Sequence, residues 1–424
     1  MDNALAKGWE LMESGDVQGA MRELRLRAAD IPPAEIAPLV ERVARLADMP
    51  DLAEASAALI AAPDQAQQLY EYGYECVEYG ASFLAVPALS AALALVPDAR
   101  SVLVELASAL EREERYGDAF DILRAHEPTL QDWPERYLLA FNALMTGDLE
   151  VAAPLAAAVP EPVRDDQAWL PIFARLQRIF ARAAQVRPAD NRDLRGWHYV
   201  LNGTLLTTLS PYGFDSGMTG RYAFFQESLG HCLFSLRRLK TILEAANLRP
   251  TTISLLADRS SQILGLAAAQ VLDLPAAPYA PGRPDTLIVG YDLNEVDEQL
   301  LAKLSSRTNG EVLYEHASCW TSQPSVSADV CAMLVQSCVS PWGVRLRQTQ
   351  DGPMERIPAD DRPVEKVAAE IVAADPDLED GDGETPPDPD ETLATFAARL
   401  ARHWPAGPRE SAGSPGPVRS SRFT

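Results

Sequence analysis

"ESGDVQGAMRELRLRAADIPP" (residues 13–33) and "EYGASFLAVPALSAALALVPD" (residues 78–98) look unrelated until they are aligned on their small residues. Both then read as a Gly, an Ala five positions on and a Pro twelve beyond that Ala: Gly15, Ala20 and Pro32 in one, Gly80, Ala85 and Pro97 in the other. Gly8 and Gly73 match seven positions earlier. The same Ala recurs at Ala55, Ala119 and Ala152, with Leu52, Tyr116 and Leu149 three residues before it. Successive steps between these alanines are 35, 30, 34 and 33 residues, a period that marks a stack of small repeating units. The Gly permits a tight turn, the Ala allows close helix contact and the Pro ends the second helix of each unit.

This pattern resembles the tetratricopeptide repeat over residues 1–160, with 165–185 as a closing helix. The resemblance implies an all-α solenoid over residues 1–188, with a protein or peptide partner in its groove. The paired basic residues of a carboxylate clamp are not expected, because Lys7 is the one lysine of this region.

Beyond the repeats the pattern changes. "TTISLLAD" (251–258), "DTLIVGYDL" (285–293) and "EVLYEHA" (311–317) read as strands, and the segments 260–274, 294–306 and 327–338 as helices. Residues 197–209 supply a further strand and 226–246 a further helix. The strands are apolar runs without alternation, as expected of a parallel sheet covered on both faces. The expected class is therefore multidomain: the solenoid, an α/β open-sheet domain at 189–350, and an acidic tail at 351–424.

In open α/β sheets ligands sit beyond the carboxyl ends of the strands. Asp258, Arg259, Asp292 and His316 fall there, and Ser260 and Ser261 open the next helix in the manner of a phosphate site. Tyr212 and Arg221 come from "LSPYGFDSGMTGRYAFFQES" (209–228), which reads as a packed joint beside this pocket, with Arg221 the residue that decides its role. The opposing reading makes Asp258, Ser260 and Asn294 helix caps and His316 a structural histidine.

Residues 259–275 followed by "LIVGYDL" are similar to the core of type I phosphoribosyltransferases. The resemblance implies a nucleotide or sugar-phosphate ligand. Where the family has two acids and a Thr-Thr-Gly loop, this chain has Tyr291, Asp292 and "NEVDEQ", with no Gly or Thr and with three acids. Those acids repel a phosphate, so the expected domain is non-catalytic. No cofactor is expected. His316, Cys319, Cys331 and Cys338 lack the paired spacing of a zinc site, so no metal is expected either.

A net charge of −24 disfavours nucleic acid and anionic membrane as partners. Five scattered cysteines suit a reducing, cytoplasmic setting. Residues 375–391 hold nine acids and no base, which predicts disorder. A helix at 391–404 follows, with Leu393, Phe396, Ala397, Leu400 and Trp404 on one stripe. That stripe needs a cover, and the repeat groove of the same chain is the first candidate. The leading reading is a cytoplasmic interaction protein. The alternative is an enzyme or sensor for a nucleotide or sugar phosphate.

Overall fold

The computed structural model describes residues 5–347, 354–401, 407–414 and 416–421. It divides into two compact units, Met1–Leu170 and Pro171–Thr424.

The first unit is helical. Its α-helices follow one another in pairs: α1 (Ala6–Glu13) and α2 (Val17–Arg27), α3 (Pro33–Leu46) and α4 (Pro50–Ala61), α5 (Ala66–Glu78) and α6 (Ser82–Leu95), α7 (Arg100–Arg112) and α8 (Tyr116–Ala125), then α9 (Tyr137–Met145) and α10 (Leu149–Ala157). The recurrent alanines sit where helices touch: Ala20, Ala85, Ala119 and Ala152 are fully buried, and Ala55 nearly so. Gly73 explains the first glycine of the pattern, because a Cβ there would come 2.6 Å from Leu89 Cγ on the partner helix. Gly15 and Gly80 carry positive φ in the turns within their pairs, which a residue with a Cβ adopts at a cost.

The second unit runs α11 (Leu170–Val186), α12 (Leu194–Asn202), β1 (Leu205–Leu206), β2 (Tyr222–Gln226), α13 (Leu229–Ala245), β3 (Thr252–Leu255), α14 (Arg259–Leu272), β4 (Ala276–Pro278), β5 (Thr286–Gly290), α15 (Glu298–Leu304), β6 (Val312–Cys319), β7 (Val330–Val339), β8 (Arg345–Arg347), β9 (Glu355–Ile357), α16 (Val364–Ala373) and α17 (Asp390–Leu400). Seven strands form one sheet in the order β1-β7-β6-β5-β3-β4, with β2 also on β7, and every pairing is parallel. β5 is buried throughout, which accounts for its unbroken apolar run. β1 and β2 divide one edge of β7 between them, so residues 209–221 leave that edge and return to it. Ser210 N–H to Gly220 O closes the excursion. β8 and β9 pair separately as an antiparallel ribbon.

Five expectations need correction. Residues 327–338 are not a helix: β7 occupies them, because a short apolar run buried on both faces does not distinguish strand from helix. Most of the strand expected at 197–209 is the end of α12, which stops at Gly203 with φ 71°, and only Leu205 and Leu206 pair. The helix expected to close the repeats, α11, belongs with the second unit, where Arg182 donates to the carbonyls of Val200 and Leu201.

The tail is the largest difference. Among its described residues, 375–390 cross the α/β unit as a strap, because partners meet its acids one by one. Ser228 donates to Asp377, Tyr222 to Glu379, the Gly213 N–H to Asp382, and Arg195 and Arg238 to Asp388. α17 finds its cover inside its own unit. Its stripe of Leu393, Ala397 and Leu400 is buried within the second unit, where α17 packs on α13 and Phe396 meets Tyr199 edge-on. Trp404 lies outside the described residues. Further along, Val418 is buried and accepts a hydrogen bond from Arg221.

Candidate functional site

The expected strand-end residues are taken up by the fold. Asp258 caps α14 by accepting from the Ser261 N–H. Arg259 turns away from the sheet to the carbonyls of Asp360 and Arg362. Ser260 accepts from the Trp342 indole, and Ser261 from the Tyr291 N–H. Asp292 accepts from the Asn294 N–H, and burial raises its carboxyl above the usual range. Arg221 is buried, donates to the carbonyls of Val418 and Arg419, and lies 5.7 Å from the Trp320 ring centroid. Tyr212 is exposed beside the strap, on the loop where Pro211 O accepts from the Asp382 N–H.

His316 belongs to a different group. It projects from β6 into a buried cluster with Glu227, the residue after β2, and His231, in the first turn of α13. The backbone sets both partners. The Glu227 N–H bonds Val339 O and extends the β2 ladder by one residue. Ser228 then caps α13 by accepting from the His231 N–H at 3.0 Å, which fixes His231 one turn beyond Glu227. Gly230 lies between them where the strap crosses: a Cβ there would be 2.3 Å from Asp375 O.

Glu227 Oε1 faces His231 Nδ1 at 2.9 Å and His316 Nε2 at 2.5 Å. Its Oε2 accepts from the Tyr291 hydroxyl at 2.7 Å, and Tyr314 Oη lies 3.0 Å from His316 Nδ1. Cys338 Sγ is 3.5 Å from the Tyr291 hydroxyl. Burial works against the Glu227 charge, but the two imidazoles and their hydrogen bonds outweigh it and hold the carboxyl well below the usual range. Burial, then Glu227, keeps the Tyr291 phenol protonated and pushes the Cys338 thiol up to about 12. Both tyrosines can therefore donate, Tyr314 to His316 Nδ1 and Tyr291 to Glu227 Oε2, while His231 Nδ1 and His316 Nε2 face Glu227 Oε1. One atom is left over, since His231 Nε2 is buried without a hydrogen-bond partner.

His231 also lines a cavity of about 290 Å³ between the start of α13, residues 208–211 and the strap. Tyr222, Phe234 and Arg238 form further walls. A second, much smaller cavity holds Glu315, His198, Cys319 and Cys331. Burial raises Glu315 to about 8, while burial and then Arg221 lower His198 to about 3, so both are neutral near pH 7.

Among the described residues, Glu227, His231 and His316 form the one group of three or more His, Cys, Asp or Glu side chains with donor atoms close enough to share a metal, all within 4.8 Å of one another. The quartet weighed from the sequence does not converge: Cys331 donates to Met333 O and Cys319 to Gln336 O. Sequence reading singled out His316 but not its partners. The available signal was Glu227 and His231, four residues apart across the start of a helix; Tyr314, two residues before His316 on β6, carried none. No family model matches the chain, and no curated protein matches it. Among the described residues, no helix is long and apolar enough to cross a membrane.

Proposed function

We propose that this is a cytoplasmic interaction protein, in which tetratricopeptide-like helix pairs bind a partner protein and the α/β unit acts as a non-catalytic companion. The repeat reading rests on the first helices of the pairs, which begin at Ala6, Pro33, Ala66, Arg100 and Tyr137, near the 34-residue period of that family. The partner reading rests on one feature of those helices. α5 carries Tyr70, Tyr74, Glu75 and Glu78, while Glu105 and Glu111 come from α7.

Burial, then neighbouring acids, raises the Glu75 carboxyl. Burial raises Glu105 against the pull of Arg112, and lifts Glu111 to about 7. Helices on which several carboxylates are held above their usual range gain from a cationic guest, and their tyrosines supply contact area at small entropic cost. The fitting partner is a basic segment of another protein.

The non-catalytic reading of the α/β unit is supported by the bonds that occupy Asp258, Arg259, Ser260, Ser261 and Asp292. The same bonds weigh against a nucleotide or sugar phosphate at the strand ends. Affinity capture on the full chain tests the proposal. The partner bound by the unchanged protein should carry a basic segment and be lost from a Glu78→Lys/Glu105→Lys variant. Equal recovery by the variant would refute it. In a thermal-shift screen, stabilisation by a sugar phosphate that disappears in Asp292→Ala would overturn the non-catalytic reading.

A further inference from the structure

We propose that Glu227, His231 and His316 bind one divalent transition-metal ion, zinc in the first instance. The donors are a carboxylate and two imidazoles, a set that suits zinc and its neighbours in the first transition row. They come from three separate elements, the end of β2, the first turn of α13 and the middle of β6, so the fold itself brings them together. Glu227 Oε1 lies 2.9 Å from His231 Nδ1 and 2.5 Å from His316 Nε2. Tetrahedral coordination at about 2.0–2.1 Å holds donors roughly 3.3 Å apart, so Glu227 Oε1 needs to part from each imidazole nitrogen by less than about 1 Å to admit an ion.

Two further observations separate this cluster from an ordinary buried polar network. The first is charge. Three other buried or nearly buried carboxylates of the unit face arginine: Asp329 meets Arg307 and Arg409, Glu311 meets Arg409, and Asp388 meets Arg195 and Arg238. Glu227 is just as buried, yet its hydrogen-bond partners are two imidazoles and a phenol. A metal ion takes the place that arginine holds beside those other carboxylates. The second is support from behind. Tyr291 holds Glu227 through Oε2, and Tyr314 holds His316 through Nδ1, leaving Oε1 and Nε2 turned toward the shared centre. Metal ligands are oriented by such outer hydrogen bonds.

The proton inventory closes. With the ion held through His231 Nδ1 and His316 Nε2, each ring carries its proton on its other nitrogen, and the Tyr314 hydroxyl turns from donor to acceptor. The His316 proton moves to Nδ1, where the Tyr314 oxygen accepts it. The His231 proton moves to Nε2, the nitrogen that otherwise remains a buried, unpartnered lone pair. The His231 ring lines the 290 Å³ cavity, which provides a path for the ion.

The test uses the full chain, stripped with a chelator and titrated with cobalt(II), then zinc. The expected result is one cobalt per chain with the visible absorption of a tetrahedral site, displaced by zinc, and at least tenfold weaker binding in Glu227→Gln and in His316→Gln. Because these variants alter a buried cluster, histidine ring resonances of the unchanged protein provide a second reading. Zinc should shift the His231 and His316 signals and leave those of His126 and His198 in place. No uptake of either ion, uptake unaffected by both substitutions, or shifts confined to other histidines would overturn the proposal.

Discussion

Asp388 holds the acidic strap, and removing its carboxylate should release it. Its oxygens accept from Arg195 Nη1 at 2.9 Å and Nη2 at 2.7 Å, from Arg238 Nη1 at 3.0 Å and from the Leu209 N–H at 3.3 Å. The side chains of Asp388, Arg195 and Arg238 are only 11%, 6% and 3% exposed, so solvent screens these pairs weakly. Asp388→Ala leaves two guanidinium groups buried without that counter-ion, a loss of about 3–5 kcal/mol. Part is recovered because Arg195 still donates to the carbonyls of Leu206 and Thr207, and Arg238 still donates to Thr207. A net loss of about 3 kcal/mol corresponds to roughly 100-fold faster opening-limited exchange. Peptide-resolved amide hydrogen exchange should show that acceleration at Asp382, Glu384, Thr385 and Gly213, with α5 unchanged as an internal control.

The sign of the pH dependence follows from the same bonds. Burial opposes the Asp388 charge, but the hydrogen bonds and charge of Arg195, then Arg238, prevail and lower its carboxyl below the ordinary aspartate range. The stabilisation is therefore present above the unfolded value near pH 4, and is lost as the pH falls through the lower folded value. Acid should loosen the strap of the unchanged protein and add little in Asp388→Ala. Unchanged exchange over 382–385 in the variant at neutral pH would refute the reasoning.

Three further outcomes follow. Glu315 is raised to about 8 by burial, so its effect on stability is absent at low pH and grows unfavourable as the pH rises from the unfolded value toward 8. Glu315→Gln keeps an acceptor for the Leu293 N–H, and denaturant melts should show it more stable than the unchanged protein above pH 8 but not at pH 5. Gly73→Ala places a Cβ against Leu89 and should cost about 1–3 kcal/mol in thermal or urea melts. Gly117→Ala, where nothing lies within 4 Å of the added carbon, should be neutral or gain up to about 1 kcal/mol.

Features that depend on local spacing were legible in the sequence. Ala20, Ala85, Ala119 and Ala152 announced helix contacts because a period near 34 needs no tertiary knowledge, and β3, β5 and β6 stood out as apolar runs bounded by polar turns. Features that depend on long-range pairing were not. β7 read as a helix because "CAMLVQSC" is apolar at both periods, and only its position between β6 and the β1–β2 edge decides for strand. The strap read as disordered because composition records nine acids but not Arg195 and Arg238, some 190 and 150 residues away, that receive Asp388. The candidate site divided in the same way. Asp258 and Asp292 were correctly placed at strand ends, but their neighbours use them as caps. His316 was noticed alone because Glu227, 89 residues distant, reaches it only across the sheet.

The proposed partner-binding role can be tested at a single residue. A photo-crosslinking amino acid at Tyr74, which is 39% exposed on α5, should trap a protein with a basic segment when the full chain is irradiated in its native lysate. The same probe at Phe224, exposed on β2, should trap none. Adducts at Tyr74 that vanish with Glu78→Lys/Glu105→Lys are the predicted result. Adducts at Phe224 alone, or adducts at Tyr74 indifferent to charge reversal, would contradict it.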